Sequence, residues 1–349
     1  MAGAVVVYPR VTQMNDQQTR RGFLKSASAL GVAAAAAAGT TTLLSAAPAT
    51  APAQAPMGNA TERACYKVSL NAYSFSKALN DFNKQRGAGI SLMALLDFCA
   101  KNGFDGIDAT GYFFPTYPEV PPDEFVNNFK RKAFGLGLGI SGTGVRNNFT
   151  TSEKAERDAS VKHIKQWVEV AARMGAPVLR VFADTQMKAM SWQDVAKGLT
   201  RDDVQKYIVE ALHDCTEHGK KFGVIIGVQN HGDFLQTADQ LMALVNAVNS
   251  EWCGPIVDTG YFKTPDPYKD IAQVAPHAVN WQIKEKPFGQ ESEIPTDLVK
   301  LMKIVRTSGY RGYLPIETLS KNKGADGYDP FTVVPAFVKL FREAIQQTA

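Results

Sequence analysis

Side chains that can carry charge, bind a cation or move a proton recur in this chain at one kind of place, the end of a short Val/Ile-rich run. Gly106-Ile107 is followed by Asp108, and Leu138–Gly142 leads on to Arg146 and Asn147. Arg180 lies inside Val178–Phe182, and Val224–Val228 runs into Gln229-Asn230-His231-Gly232-Asp233. Pro255-Ile256-Val257 ends in Asp258, and Gly312–Ile316 ends in Glu317. Val279–Ile283 carries Gln282 and is followed by Lys284 and Glu285. The carboxylates Asp108, Asp258 and Glu317 suit proton transfer or the binding of a hard cation. His231 and Lys284 add two further groups able to give or take a proton. Arg146 and Arg180 can hold substrate oxygens, bidentately where these belong to a carboxylate or phosphate. One polar strand end could be a packing accident. Groups this expensive to bury, repeated at one strand end after another, ask for a common purpose.

Such ends can meet only if the strands lie side by side and point the same way. The chain alternates strand and helix throughout its length. Strands are expected at Val68–Ala72, Gly106–Asp108, Leu138–Gly142, Val178–Phe182, Val224–Val228, Pro255–Asp258, Val279–Ile283 and Gly312–Ile316. The helices between them are amphipathic. Val204, Ile208, Leu212 and Cys215 form one stripe, and Leu298, Leu301, Met302 and Val305 another. Glycines at 103, 175, 219 and 309 each stand where a helix should stop before a strand. Eight such units with right-handed crossovers close a (β/α)8 TIM barrel, whose active site lies at the C-terminal ends of the strands. The rival, an open doubly wound sheet, usually shows a Gly-rich phosphate loop after its first strand. Here that strand runs into Asn71-Ala72-Tyr73-Ser74-Phe75. Tyr73, Phe75, Tyr112, Phe113 and Phe114 are either an apolar wall for a sugar ring or packing at the top of the barrel.

The first 55 residues stand apart from this pattern. Arg20-Arg21 precedes an Ala-rich run from Ala27, and Ala53-Gln54-Ala55 offers a small-x-small cleavage site. These are the three regions of a twin-arginine secretory signal. The expectation is a cleaved leader over 1–55, a short segment over 56–65 and one barrel over 66–349. The product would be exported to the periplasm with no stable membrane anchor. The chain carries a net charge of +4. Arg10, Arg20, Arg21 and Lys25 against Asp16 account for +3 of it. The remaining +1 gives no electrostatic footprint for nucleic acid. Cys65, Cys99, Cys215 and Cys253 are widely spaced, and buried free thiols are the expected state at 99 and 215. The Gly- and charge-rich Lys321–Asp329 loop reads as a lid or a solvated connection.

The runs Val228–Phe234, Ile256–Gly260, Trp281–Glu285 and Gly309–Glu317 resemble the xylose-isomerase-like barrel superfamily, and the resemblance covers residues 66 to 345. That group includes sugar isomerases, ketose 3-epimerases, inosose dehydratases and an endonuclease branch. The resemblance implies one divalent cation, Mn or Mg first and Ca next, held by Glu, Asp, His and Glu at the ends of strands 5 to 8. The matching positions here are Gln229, Asp258, Gln282 and Glu317. An all-oxygen set of this kind suits a hard cation and disfavours zinc. Two departures stand out, Gln for the strand-5 Glu and Gln for the strand-7 His. The first matters for mechanism, because the family's two Glu residues exchange protons with opposite faces of the sugar and Gln229 cannot be a base. Glu317 then needs a catalytic partner from among Asp108, His231, Lys284 and Glu285. Arg146, Arg180, Asn230, Glu285 and Tyr73 are the expected substrate contacts.

The resulting expectation is a metal-dependent sugar isomerase or epimerase acting by proton transfer beside a carbonyl. A lyase or glycoside-cleaving enzyme working on keto-sugars by β-elimination is the alternative, and a non-catalytic sugar-binding barrel is a third. The endonuclease branch uses a His-rich trinuclear metal site, which a chain with five His does not match. The implied partner is a small-molecule sugar, without nucleic acid, and the resemblance allows a homodimer.

Overall fold

The computed structural model describes residues 66–185, 190–287, 294–320 and 327–349. The expected leader, the 56–65 segment with Cys65 and the 321–326 part of the charged loop lie outside the described residues.

Eight parallel strands close into a barrel in sequence order. They are β1 (Lys67–Asn71), β2 (Gly106–Asp108), β3 (Gly139–Gly144), β4 (Val178–Phe182), β5 (Ile225–Gln229), β6 (Cys253–Asp258), β7 (Asn280–Lys284) and β8 (Tyr313–Glu317). Closure is made by β1 pairing with β8, Lys67 opposite Tyr313 through Leu70 opposite Ile316. That pairing removes the open-sheet alternative. Each observed strand overlaps its expected run, with ends shifted by up to two residues. β1 stops at Asn71 because the Asn71 side chain accepts from the Tyr73 amide and starts a single turn there.

The connecting helices are α1 (Ser76–Asn83), α2 (Leu92–Lys101), α3 (Asp123–Gly135), α4 (Lys154–Met174), α5 (Trp192–Ala196), α6 (Arg201–Phe222), α7 (Ala238–Val248), α8 (Pro267–Val274), α9 (Leu298–Thr307) and α10 (Pro330–Gln347). The two sequence stripes face the core, with Leu298 at the start of α9 only partly buried. Val204, Ile208, Leu212 and Cys215 of α6 and Leu301, Met302 and Val305 of α9 are fully covered. Each large aliphatic side chain so covered contributes roughly 1.5–3 kcal/mol. The expected helix stop at Gly219 is corrected. α6 continues one turn further and ends at Gly223 in the left-handed conformation. Gly219 instead lets the helix lie close against Val224 at the entry to β5, where a Cβ would strike that residue's carbonyl oxygen. Cys99, Cys215 and Cys253 are buried free thiols. Among the described residues no helix is long and apolar enough to cross a membrane.

Inside the barrel the side-chain period of two decides what faces the axis. Ser69 and Asn71 of β1, Ser141 of β3, Gln229 of β5, Asp258 of β6, Asn280, Gln282 and Lys284 of β7 and Glu317 of β8 are all buried polar residues. They meet across the axis. Ser69 and Ser141 hydroxyls are 2.8 Å apart, and the Asn280 amide reaches both Asp108 and the Ser141 carbonyl at 3.4 Å. The apolar packing lies outside the strands, and the polar interior rises toward their C-terminal ends.

Candidate active site

The polar interior opens into a cavity of about 660 Å³ at the C-terminal mouth. Its lining includes Tyr73, Arg146, Arg180, Gln229, His231, Gln282, Lys284 and Glu317 from the sequence reading. Asn71, Thr110, Tyr112, Asp184, Asp233 and Tyr261 share it.

At its base Lys284 binds two carboxylates. Its Nζ lies 2.5 Å from Glu317 Oε2 and 3.4 Å from Asp258 Oδ2. All three residues are at least nine-tenths buried. Burial works against the ammonium charge, but Asp258 and Glu317 outweigh it and hold Lys284 protonated well above the usual lysine range. Burial likewise raises Asp258, with Lys284 opposing it. The remaining valences of Asp258 are taken as well. Gln229 Nε2 donates to Oδ2 at 2.5 Å, and the Gly260 amide donates to Oδ1 at 2.9 Å. Gln282 Oε1 accepts from Asn71 Nδ2 at 2.7 Å.

The four expected metal ligands therefore converge, but they do not present an open seat. An ammonium already sits between the two carboxylates, and one amide oxygen is engaged by a donor. Among the described residues no group of three or more His, Cys, Asp and Glu is arranged to hold an ion. The residues present do not fit the implied divalent cation.

A second charged unit stands on the same cavity. His231 Nδ1 is 2.7 Å from Asp184 Oδ2. The imidazole stacks on Tyr261 with ring centres 4.2 Å apart and tilts against Phe182 at 4.7 Å. Asp184 fixes one ring nitrogen and the two rings fix the plane, so the imidazole is oriented before any ligand arrives. Gly232 makes the pairing feasible. Its φ is +74°, and a Cβ there would collide with Asp184 Oδ2.

Arg180 is buried in the opposite run of strands. Nη2 donates to the Tyr112 hydroxyl at 2.8 Å, while buried Nη1 has no hydrogen-bond partner among the described residues. Its guanidinium lies 4.1 Å from the Phe182 ring centre and 5.3 Å from that of Tyr112. The flat approach is possible because Gly144 has no side chain, since a Cβ there would come within 2.6 Å of Nε. Arg146, exposed, covers the Tyr112 ring at 4.8 Å. Burial pushes the Tyr112 hydroxyl up to about 12, with Arg180 opposing, so it is a neutral hydrogen-bonding group.

Four expected site residues do not line the cavity, and one of them is Asp258, fully buried beneath Lys284. Asp108 lies below the cavity, with its carboxyl pushed up to about 6 by burial, which Arg180 partly offsets. Asn230 binds backbone. Its Nδ2 donates to the Asp258 carbonyl at 2.9 Å and its Oδ1 accepts from the Asp258 amide at 2.7 Å. Glu285 stands just past the end of β7, and its carboxylate accepts from the Leu319 backbone amide. Of the five aromatic residues after β1 and β2, Tyr73 and Tyr112 form cavity wall, whereas Phe75, Phe113 and Phe114 are core.

The sequence reading missed Asn71, Asp184 and Tyr261 as site residues. Asp184 was discoverable, standing two residues past β4 where a polar strand end should be sought. Nothing local marks Asn71 or Tyr261.

The family model described as xylose isomerase-like TIM barrel matches residues 96–332. Among solved structures, the chain is similar to the 3-keto-D-glucoside 4-epimerase of E. coli at 13% identity and TM-score 0.61, covering 80% of this chain and 99% of that one. D-psicose 3-epimerase of Clostridium cellulolyticum H10, with D-tagatose, gives 13% identity, TM-score 0.63 and coverage of 80% and 99%. The IOLI protein with a bound zinc atom gives 14%, 0.61, 81% and 99%. At these identities the likeness establishes the fold. No curated protein sequence matches the chain.

Proposed function

This chain belongs to the xylose isomerase-like TIM barrel family, and we propose that it is a sugar isomerase or epimerase that moves a proton on a carbon next to a carbonyl. The observation that carries the reading is the presence of two proton-handling groups on one cavity, Glu317 beside Lys284 and His231 held by Asp184. Two similar structures named as sugar epimerases support the substrate class.

In this reading one of the pair accepts the proton as the C–H bond breaks. The electron pair forms the carbon–carbon double bond, and charge gathers on the former carbonyl oxygen. The partner group then delivers a proton to carbon or oxygen. His231 takes the place that Gln229 cannot fill. Lys284 supplies fixed positive charge next to Glu317, in a site screened from water where such charge acts strongly. Arg180, Arg146 and Tyr112 hold substrate oxygens, and Tyr73 and Tyr261 cover the ring. No step is assigned to a divalent ion.

β-Elimination on a keto-sugar is a second reading, favoured by Gln229. With an amide at the end of β5, a single carboxylate base and one acid suffice to remove a proton and assist a leaving group. The proposal also includes export through the Arg20-Arg21 leader and a soluble sugar, rather than a nucleic acid, as ligand.

The test incubates the protein with ketoses and 3-keto-glycosides in deuterium oxide. Isomerase action gives deuterium at the carbon next to the carbonyl with no other change in composition. Elimination gives an ultraviolet-absorbing enone and a released alcohol. Glu317→Gln is expected to lower either rate by about 10²-fold or more. Neither product from any sugar would leave the binding barrel as the better account.

A further inference from the structure

We propose that Lys284 is a built-in replacement for the divalent cation implied by the family resemblance, so that the site works with an ammonium in the place of a metal ion. The proposal rests on the geometry of the cluster and does not depend on which reaction the cavity performs.

Four observations point the same way. The ammonium lies between the two carboxylates that match metal-binding positions, 2.5 Å from Glu317 Oε2 and 3.4 Å from Asp258 Oδ2. The lysine is only 5% exposed, so its charge has been placed inside the protein and does not reach for solvent. Room for its stem is provided by Gly260, where a Cβ would lie 2.8 Å from Lys284 Cγ. Any side chain at that position would push the ammonium out of its place. The charge balance also agrees. Three carboxylates around a divalent ion leave −1, and Asp258 and Glu317 around one ammonium leave −1. Gln229 thus removes one negative charge just where the central cation has one positive charge fewer. Its amide then donates to Asp258 Oδ2, a bond that the family's ionised Glu could not supply.

Lysine and metal differ in ways that matter. An ammonium donates hydrogen bonds and carries a single charge, so it stabilises a developing oxyanion less strongly than a divalent ion. In return, the cation cannot be lost by chelation or competition, which suits a protein working outside the cytoplasm.

The experiment is isothermal titration of the chelator-treated full chain with Mn²⁺, together with thermal midpoints with and without the ion. The wild type is expected to show no binding at millimolar Mn²⁺ and no change of midpoint with EDTA. Lys284→Ala, which leaves two carboxylates facing an empty space, is expected to bind Mn²⁺ and to gain thermal stability with it. Lys284→Arg restores the charge and is expected to remain blind to the ion. If Lys284→Ala is unfolded alone, Mn²⁺ is expected to restore its circular dichroism. Stoichiometric binding by the wild type that Asp258→Asn abolishes would overturn the proposal. A folded Lys284→Ala that ignores Mn²⁺ would overturn it too, because the ammonium would then not be what excludes the ion. These readouts report occupancy even if no sugar is turned over, so failure of the catalytic reading and failure of this one are separate results.

Discussion

His231 has its ring plane fixed by Tyr261 and Phe182 and one nitrogen fixed by Asp184. Asp184 is a positioning residue, and its removal should act on the proton transfer more than on substrate binding. Asp184→Asn keeps the shape but changes which nitrogen carries the proton. The expected outcome is a fall in kcat of about 10²-fold with KM nearly unchanged and one limb of the pH–rate profile displaced. An unaltered profile would remove His231 from the mechanism. Asp108 acts differently. Its folded value near 6 lies above the unfolded value of about 3.9, so the folded protein holds this proton more tightly. Its contribution to stability is therefore greatest below about pH 4 and is lost as pH rises through 6. Asp108→Asn should gain on the wild type by on the order of 2–3 kcal/mol between pH 4 and pH 7. Urea midpoints at the two pH values decide this, and an equal gap at both would contradict it.

Among the secondary-structure elements, two asparagines extend strands beyond their last ladder pair. Asn230 carries the β5–β6 pairing on to Asp258, and Asn147 does the same for β3 and β4 through the Phe182 amide and carbonyl. A side-chain amide offers the same donor and acceptor as a peptide group, so it can stand in for a rung of the sheet. The bond matters because Asp258 sits at that rung. Asn230→Ala leaves a buried N–H and C=O without partners and should cost about 2–4 kcal/mol. An unchanged denaturation midpoint would mean that water replaces the amide. Gly232 belongs to the same scale, since it ends β5's extension in a left-handed turn and leaves space for Asp184.

For the whole molecule, closure of the barrel decides the site. Asn71 on β1 and Gln282 on β7 are separated by 211 residues and meet at 2.7 Å. The net charge outside residues 1–55 is +1, which agrees with a small sugar as ligand more than with a polyanion. Replacing both Arg20 and Arg21 with Lys is expected to leave the chain uncleaved in the cytoplasm. Cell fractionation with antibody detection reads the result, and unchanged export would place the protein on another route.

The strands, the covering helices and the ring of strand-end polar groups could be read from the sequence because each has a local cause. Period-two and period-3.6 patterns repeat within ten residues, and the polar ends interrupt apolar runs at fixed places. Asp258, Gln229, Gln282, Lys284 and Glu317 were all legible in this way. Asn230 and Glu285, expected as substrate contacts, bind backbone beside the cavity, because one residue of register decides where a strand-end side chain points and local pattern does not resolve a strand's last residue. The pairing of His231 with Asp184 came only from β4 lying beside β5, and the splitting of the aromatic residues into wall and core came from their turns. The sequence determined which charged groups gather at the barrel mouth. Only the tertiary structure decided that a lysine stands among the carboxylates where a metal was expected. That choice depends on ångström-scale distances among β5, β6, β7 and β8, which are distant in sequence and set by barrel closure.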